Sequence, residues 1–391
     1  MTDKSLDKPG RRRLLSAAGG ALLAAPMLNF GAFRVFAASD IRYSRRAVDL
    51  VASTQVIDML SAPFPFGPMI LSAMADEPKR MDGYAVSAEQ LQVLLSSGID
   101  VFHTAVGLGA EDAPYFVGRL NALVAEHPEH LRRIDSVADF DDLVKGERLG
   151  IIIGIQNADH FREPADVDRY YHLGQRISQL TYNSRNLIGT GATDRSDGGL
   201  SDFGVGIVER MNAVGMAVDV SHCGDRTTLD AFAVSKRPVL ITHSNARALV
   251  DGHVRCKSDE AIRAVGRAGS VMGITGVRNF VRAQEPTTVE HVVDHIDYVA
   301  RMIGIEHVGI GSDLDMDGYD DLPKPAYDQL KSGYSGRYAF RDKIDVDGFD
   351  HPKRTYDLVE AMIRRGYSDS DIRRVLSDNF RRVLGEVWQP A

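Results

Sequence analysis

The stretch Leu149-Gly150-Ile151-Ile152-Ile153-Gly154-Ile155-Gln156 is apolar throughout until it ends on a polar amide. An unbroken apolar run rich in Ile, without alternating polar residues, is typical of a strand that is buried on both faces of a parallel sheet. Functional groups of α/β enzymes lie at the carboxyl ends of such strands, so Gln156 stands at a position of interest.

Seven further runs of this kind recur along the chain, and helical patterns fill the gaps between them. The runs are Val56–Leu60, Ile99–Val106, Ile177–Asn183, Met216–His222, Pro238–His243, Ser270–Thr275 and Val308–Asp313. Eight strands that alternate with helices predict an α/β fold of the (β/α)₈ TIM-barrel type. A doubly wound open sheet is the alternative, but no glycine-rich phosphate loop follows the first strand.

The ends of several helices are also indicated by the sequence. Gly215 is a suitable residue to end a helix over Asp202–Val214. The C-terminal segment Tyr356–Trp388 has the pattern of two helices separated at Gly366. We expect these C-terminal helices to pack on the barrel rather than to form a second domain.

Residues 1–38 have the features of a twin-arginine export signal, which leaves residues 39–391 as a single barrel domain. Arg11-Arg12-Arg13-Leu14-Leu15 opens an apolar stretch that runs to about Leu28, and Val35-Phe36-Ala37-Ala38 offers small residues for cleavage. A basic tail or an uncleaved anchor is the alternative. The stretch is too short and too rich in Gly and Ala for a good membrane span. A periplasmic protein without a stable membrane span is therefore expected.

The net charge limits the classes of partner, and the number of cysteines limits the disulfide chemistry. The net charge is −8, and residues 1–38 hold six Lys or Arg and two Asp or Glu, so the remaining chain carries −12. An acidic body argues against nucleic acid as a partner. Cys223 and Cys256 could form one disulfide in an oxidising compartment or remain two free thiols.

Polar residues close several of the predicted strands and should meet at one rim of the barrel. His222, His243 and Asp313 end three of them, and imidazole nitrogens and carboxylate oxygens suit zinc. His103 and His160 lie near the same rim in this layout. Each is either an additional ligand or a polar lining residue.

At this point the sequence resembles the renal (membrane) dipeptidase family of metallopeptidases over nearly the whole chain after the signal. The matching motifs are Gln179-Leu180-Thr181-Tyr182-Asn183, Gly198-Gly199-Leu200-Ser201-Asp202-Phe203-Gly204, Asp219-Val220-Ser221-His222, His243-Ser244-Asn245-Ala246-Arg247-Ala248, Gly309-Ile310-Gly311-Ser312-Asp313 and Asn379-Phe380-Arg381-Arg382-Val383. The resemblance implies a (β/α)₈ barrel that binds two zinc ions and hydrolyses dipeptides, often as a homodimer.

The resemblance also implies roles for individual residues. His222 and His243 would bind one metal, and Asp313 would handle the proton for the leaving amine. Arg255 would bind the carboxylate of a small peptide-like substrate. Tyr182 stands where the family has a substrate-binding His, and it remains polar.

The chain departs from the family at the first metal position. Leu60 and Ala62 stand where the family has a His and an Asp, and neither can bind a metal. Gln156 replaces the bridging Glu, and a neutral amide cannot bridge two cations as a carboxylate does. The sequence therefore predicts one zinc ion per chain, with Gln156 either a weak third ligand or a structural amide.

Three functions remain compatible with this pattern. The first is a zinc-dependent hydrolase of dipeptides or related amides, since one open-site zinc can activate water. The second is a periplasmic tailoring enzyme of different chemistry on a peptide-like product. The third is a non-catalytic binding protein on the same barrel, for which a retained proton-handling Asp313 has no evident use.

Overall fold

The computed structural model describes residues 42–64, 86–107, 109–334 and 336–389. The export signal predicted at residues 1–38 lies outside these ranges and stays a prediction. Among the helices within them, none is long and apolar enough to cross a membrane.

In the described part of the chain, eight parallel strands form the barrel wall, one from each predicted apolar run. They are β1 (Ile57–Asp58), β2 (Val101–Thr104), β4 (Leu149–Ile155), β5 (Gln175–Gln179), β6 (Ala217–Asp219), β7 (Ile241–Ser244), β8 (Met272–Ile274) and β9 (Val308–Ile310), while β3 (Leu131–Arg133) lies outside the ring. Strand pairing follows the orders β1-β2-β4-β5-β6 and β7-β8-β9.

Backbone hydrogen bonds at two seams close the ring. At the first seam the Leu240 amide, just before β7, donates to the Val218 carbonyl of β6 at 2.8 Å. At the second seam the Met59 amide, just after β1, donates to the Ile310 carbonyl of β9 at 2.9 Å. The predicted (β/α)₈ barrel is therefore confirmed, and the open-sheet alternative is wrong.

The short strand β3 was not predicted. It pairs with the start of β4, from Leu131 opposite Leu149 to Arg133 opposite Ile151. Strand β5 pairs with β4 only from Ile153 onward. Strand β3 therefore pairs with the first residues of the same β4 edge, before β5 begins. A three-residue strand with two arginines has no apolar run, and periodicity therefore cannot detect it.

Helices surround the strands and begin and end largely where the sequence indicates. They are α1 (Arg45–Ser53), α2 (Ala88–Leu95), α3 (Ala113–Glu126), α4 (Pro164–His172), α5 (Asp202–Val214), α6 (Asp225–Val234), α7 (Asp259–Arg267), α8 (Arg278–Val281), α9 (Val289–Ile303), α10 (Lys324–Ser332), α11 (Arg354–Arg364), α12 (Asp369–Arg373) and α13 (Asn379–Val387). Gly215 ends α5 with a φ of 83°, as predicted. Gly366 separates α11 from α12, but the second C-terminal helix is interrupted by a π-helical turn at Arg374–Asp378.

The C-terminal helix closes the amino-terminal end of the barrel. Phe380, Leu384 and Trp388 pack in one apolar cluster with residues at the beginnings of the strands, including Val101. A Cβ atom on Gly309 would lie 2.2 Å from the Phe380 ring, so only glycine lets this ring approach β9. This end is filled, which leaves the carboxyl ends of the strands for function.

Candidate metal and substrate site

A cavity of about 200 Å³ opens at the carboxyl ends of the strands. Gln156, Tyr182 and Asp313, which follow β4, β5 and β9, line it together with Leu60 after β1. His222 and His243 are fully buried, and the ring of Tyr182 stacks on His222 with centroids 4.3 Å apart. The cavity and the histidine pair therefore share Tyr182 as a common wall.

The two predicted metal-binding histidines are in direct contact. The Nε2 atoms of His222 and His243 lie 2.9 Å apart. The other nitrogen of His222, Nδ1, lies 2.7 Å from the Asn183 Oδ1, which can only accept a hydrogen bond. This contact assigns the His222 proton to Nδ1 and leaves a lone pair on Nε2.

The second histidine has the same tautomer for a related reason. The Thr242 hydroxyl donates to the Asp219 carboxylate at 2.7 Å, so its oxygen accepts from His243 Nδ1 at 2.8 Å. Burial lowers the pKa of both His222 and His243 well below the ordinary value, and the nearby Arg255 charge lowers it further. Both rings are therefore neutral, and two lone pairs face each other.

Two facing lone pairs repel unless a cation lies between them. Neutral imidazoles whose second nitrogen donates to an oxygen are the usual zinc ligands, and these partners fix the ring orientation. The pair thus fits one bound metal ion. Within the described ranges no group of three or more His, Cys, Asp and Glu side chains is placed to hold a metal.

Gln156 is an amide that could serve as a third protein ligand. Its Nε2 donates to the Ala105 carbonyl at 2.9 Å, which turns Oε1 to the opposite side. The Oε1 atom is buried and has no hydrogen-bond partner among the described residues. A buried amide oxygen without a partner costs free energy, about 1–3 kcal/mol, unless a ligand or water satisfies it.

Asp313 lies just after the carboxyl end of β9 in a strained backbone conformation. Its φ is 60°, which non-glycine residues seldom adopt, and its amide donates to the Leu60 carbonyl at 2.8 Å. Burial raises the pKa of its carboxyl to about 7, the Arg255 charge opposes this shift, and the Asp58 charge adds to it. The side chain can therefore hold or release a proton near neutral pH, as a proton shuttle must.

Tyr182 joins the histidine pair to the segment that follows β9. Its hydroxyl is 2.6 Å from the Tyr334 hydroxyl, and its ring lies over Gly107, where a Cβ atom would come within 2.7 Å. Burial raises the pKa of Tyr182 well above its ordinary value. The residue therefore stays neutral and presents a hydroxyl to the cavity.

Arg255 is buried beside the cavity and does not line it. Its guanidinium donates to the backbone carbonyls of Ser221 and His243, the latter at 3.0 Å, and packs against the Phe280 ring with 5.5 Å to the centroid. Only its Nε atom lacks a partner within the described part of the chain. The structure thus places the predicted substrate-binding arginine behind the two predicted metal ligands.

The two other candidate histidines have separate surroundings. His160 uses both nitrogens, Nδ1 with the Asn157 carbonyl at 3.1 Å and Nε2 with Gln175 at 3.1 Å, and burial lowers its pKa to about 4. His103 donates from Nδ1 to the Met59 carbonyl at 2.6 Å inside the barrel. Neither lines the cavity. Both nitrogens of His160 are engaged, whereas His103 Nε2 is buried without a hydrogen-bond partner among the described residues.

Aromatic residues after β9 form the part of the site that the sequence analysis missed. The side chains of Tyr319, Tyr334, Tyr338 and Phe340 line the cavity from one side. The available signal was the density of aromatic residues between positions 319 and 340, on both sides of helix α10. The two cysteines, whose pairing the sequence left open, are both free and buried.

Comparison with known proteins supports the resemblance. The sequence profile of the membrane dipeptidase family, peptidase family M19, matches residues 116–331, more than half of the chain. Dipeptidase verJ of Clonostachys rogersoniana is 29% identical over 271 residues, which cover 68% of this chain and 63% of that protein. The aligned region thus spans less than two thirds of this relative.

Solved structures share the barrel. An amidohydrolase from Pseudomonas aeruginosa superposes with a TM-score of 0.74 at 27% identity, over 88% of this chain and 99% of that one. The probable dipeptidase PvdM from the same organism gives a TM-score of 0.70 at 22% identity over 89% and 98%, a likeness of fold. With the profile match and the motifs at the strand ends, the chain belongs to the membrane dipeptidase family, peptidase family M19.

Proposed function

We propose that this protein is a metal-dependent hydrolase of dipeptides or related amides that uses one zinc ion held by His222 and His243. The observation that carries the proposal is the contact between their two lone-pair nitrogens, 2.9 Å apart at the rim where barrel enzymes work. Family membership supports the reaction class. The unpartnered Gln156 oxygen is the proposed third protein ligand.

The residues around the cavity would divide the chemistry between them. When bound, zinc would lower the pKa of a coordinated water to about 7 and polarise the scissile carbonyl. Asp313, which lines the cavity after β9, would accept a proton from the attacking water and deliver it to the leaving amine. Tyr182 and the aromatic wall would exclude bulk water and position the substrate.

Metal content and peptide hydrolysis test this proposal directly. We expect elemental analysis of the exported protein, purified without added metal, to give about one zinc per chain. A panel of dipeptides and dipeptide amides, followed by amine release, should include substrates. Protein without metal that hydrolyses none of the panel would contradict the proposal.

The loss of the first metal position can be tested by rebuilding it. We expect the variant that combines Leu60→His, Ala62→Asp and Gln156→Glu to bind two zinc ions per chain, because these changes restore the ligand types that the family resemblance implies. The Gln156→Glu single variant is the control and should still bind about one ion. Two ions in the unchanged protein would show that the first position is functional.

A tailoring enzyme of different chemistry is a second candidate, and Leu60 is the observation that favours it. This apolar side chain lines the cavity where the family resemblance implies a metal-binding His, which would leave a two-metal centre for peptide hydrolysis incomplete. Turnover of a modified peptide-like product, without hydrolysis of any simple amide, would favour this candidate. The predicted export signal would place either enzyme in the periplasm.

A further inference from the structure

Lys257 is a fully buried lysine that the proposed reaction does not use. The residue is 1% exposed, and its ammonium donates to the Val220 carbonyl at 2.6 Å, to the Cys223 carbonyl at 3.0 Å and to the Thr228 hydroxyl at 3.1 Å. These three bonds use all the protons of the ammonium. All three acceptors are neutral oxygens, so no carboxylate is bonded to this charge.

The surroundings of the Lys257 ammonium oppose its charge. The pKa of Lys257 is lowered to about 8, mainly by burial, and the Arg255 charge contributes in the same direction. The nearby Asp225 carboxylate binds Arg247 instead, at 2.6 and 2.7 Å. Since replacing buried charges by apolar side chains of similar volume is often neutral or stabilising, the stability of the fold does not explain this lysine.

The acceptors of Lys257 lie on both sides of His222, the first proposed metal ligand. Val220 and Cys223 belong to the turn that carries His222 just after β6, and Thr228 lies on the helix that follows, α6. The Cys223 amide also donates to the Val220 carbonyl at 3.1 Å. One ammonium therefore ties the two ends of this turn to each other and to α6.

The backbone of Lys257 is bonded to the segment that follows His243, the second proposed ligand. The Lys257 amide donates to the Asn245 carbonyl at 2.8 Å, and the Lys257 carbonyl accepts from the Arg247 amide at 2.9 Å. Asn245 and Arg247 lie just after β7, the strand that contains His243. Lys257 thus links the segments of the two histidines, one through its side chain and the other through its backbone.

The short distance between the two histidines requires such a link. Their Nε2 atoms lie 2.9 Å apart, and the two lone pairs repel each other when no cation lies between them. The Nδ1 bonds orient the two rings, but they do not set the distance between the backbone segments from which the rings extend. Bonds between these segments set that distance, and Lys257 makes bonds to both.

We propose, resting on the metal site proposed above, that Lys257 is a positioning residue whose ammonium fixes the turn of His222 against the segment of His243, so that the two Nε2 atoms face one point. The hydrogen bonds carry this role. The charge itself would oppose it, because a positive charge near the pair repels a metal cation.

Zinc affinity separates the effect of the hydrogen bonds from that of the charge. We expect the Lys257→Met variant of the exported protein, whose side chain has a similar length but no donors, to bind zinc about 10- to 100-fold more weakly in competition with a chelator. Loss of the positive charge alone would strengthen zinc binding. An affinity equal to or higher than that of the unchanged protein overturns the inference.

Lys353→Met is the matched control. Lys353 is also a buried lysine, and burial lowers the pKa of its ammonium to about 8. This ammonium donates to the Ser96 carbonyl after α2, a helix that carries none of the proposed site residues. We expect the control to bind zinc as tightly as the unchanged protein, and an equal loss of affinity in both variants overturns the inference.

Urea unfolding of the metal-free proteins shows whether Lys257 is needed for the fold. We expect the free energy of unfolding of Lys257→Met to equal or exceed that of the unchanged protein, because the variant lacks a buried charge. A structural lysine would lose stability and zinc affinity together. A lower free energy of unfolding, or a variant that does not fold, therefore overturns the inference.

Spectra of the metal-free protein separate this inference from the proposed function. With ¹⁵N-labelled histidine, the Nδ1–H signal of His222 reports its bond to the Asn183 oxygen at 2.7 Å. We expect Lys257→Met to shift or broaden this signal and Lys353→Met to leave it unchanged. This result in a protein that binds no zinc supports the inference and contradicts the hydrolase. Zinc binding that Lys257→Met does not weaken supports the hydrolase and overturns the inference.

Discussion

His222→Ala is expected to reduce the zinc content from about one ion per chain to nearly zero and to lower kcat/KM at least about a thousandfold, or about 4 kcal/mol of transition-state stabilisation. The reason is geometric. His222 and His243 present their lone pairs to one point, and a single remaining imidazole with a neutral amide binds zinc weakly. Elemental analysis and initial rates on the best substrate of the panel measure both effects.

Two further variants show whether the loss is specific to this site. His172→Ala removes an exposed histidine at the end of α4 and should leave zinc content and rate unchanged. Asn183→Ala removes the acceptor that holds His222 Nδ1 at 2.7 Å and should weaken zinc affinity about 10- to 100-fold. Full zinc content in His222→Ala would mean that the metal binds elsewhere or that the pair is structural.

The barrel could be predicted because its strands are buried on both faces. A strand such as Leu149–Ile155 must be apolar along its whole length, and this leaves a signal that needs no tertiary information. Strand β3 is different, because Leu131–Arg133 pairs with the start of β4 and has no apolar run of its own. The π-helical turn at Arg374–Asp378, in which Val375 and Leu376 are buried, likewise has no local pattern that predicts it.

The candidate site could be predicted in part for a related reason. The predicted end of a parallel strand determines at which end of the barrel a residue lies. Gln156, Tyr182 and Asp313 could therefore be assigned to one rim. Hydrogen-bond partners depend on neighbours that are distant in the sequence. The engagement of Arg255 by the Ser221 and His243 carbonyls, and the aromatic wall after β9, are visible only in the folded chain.

Asp313→Asn is expected to abolish most of the activity while it stabilises the folded protein. An amide cannot accept and return the proton that hydrolysis requires, so kcat/KM should fall about 10²- to 10⁴-fold. The same change removes a buried group that resists ionisation. Loss of function with a gain of stability would distinguish a functional carboxyl from a structural one.

The stability gain has a defined dependence on pH. The folded protein keeps the Asp313 proton up to a pKa of about 7, whereas the unfolded chain releases it near 3.8. As the pH rises from about 4 to about 7, ionisation therefore favours the unfolded chain, and the free energy of unfolding of the unchanged protein falls relative to that of Asp313→Asn. Below pH 4 the two should agree, and above pH 7 the difference should level off at about 4 kcal/mol.

Urea unfolding of the chelator-treated proteins at several pH values between 4 and 8 measures this difference without the charge of a metal. Asp328→Asn is the matched control, because Asp328 is an exposed carboxylate in a surface ion pair with Lys324, and its loss should cost less than about 1 kcal/mol at each pH. A difference that stays constant with pH would mean that Asp313 is ionised in the folded protein. The Asp313 carboxylate would then be stabilised by nearby positive charges and would not exchange a proton near neutral pH.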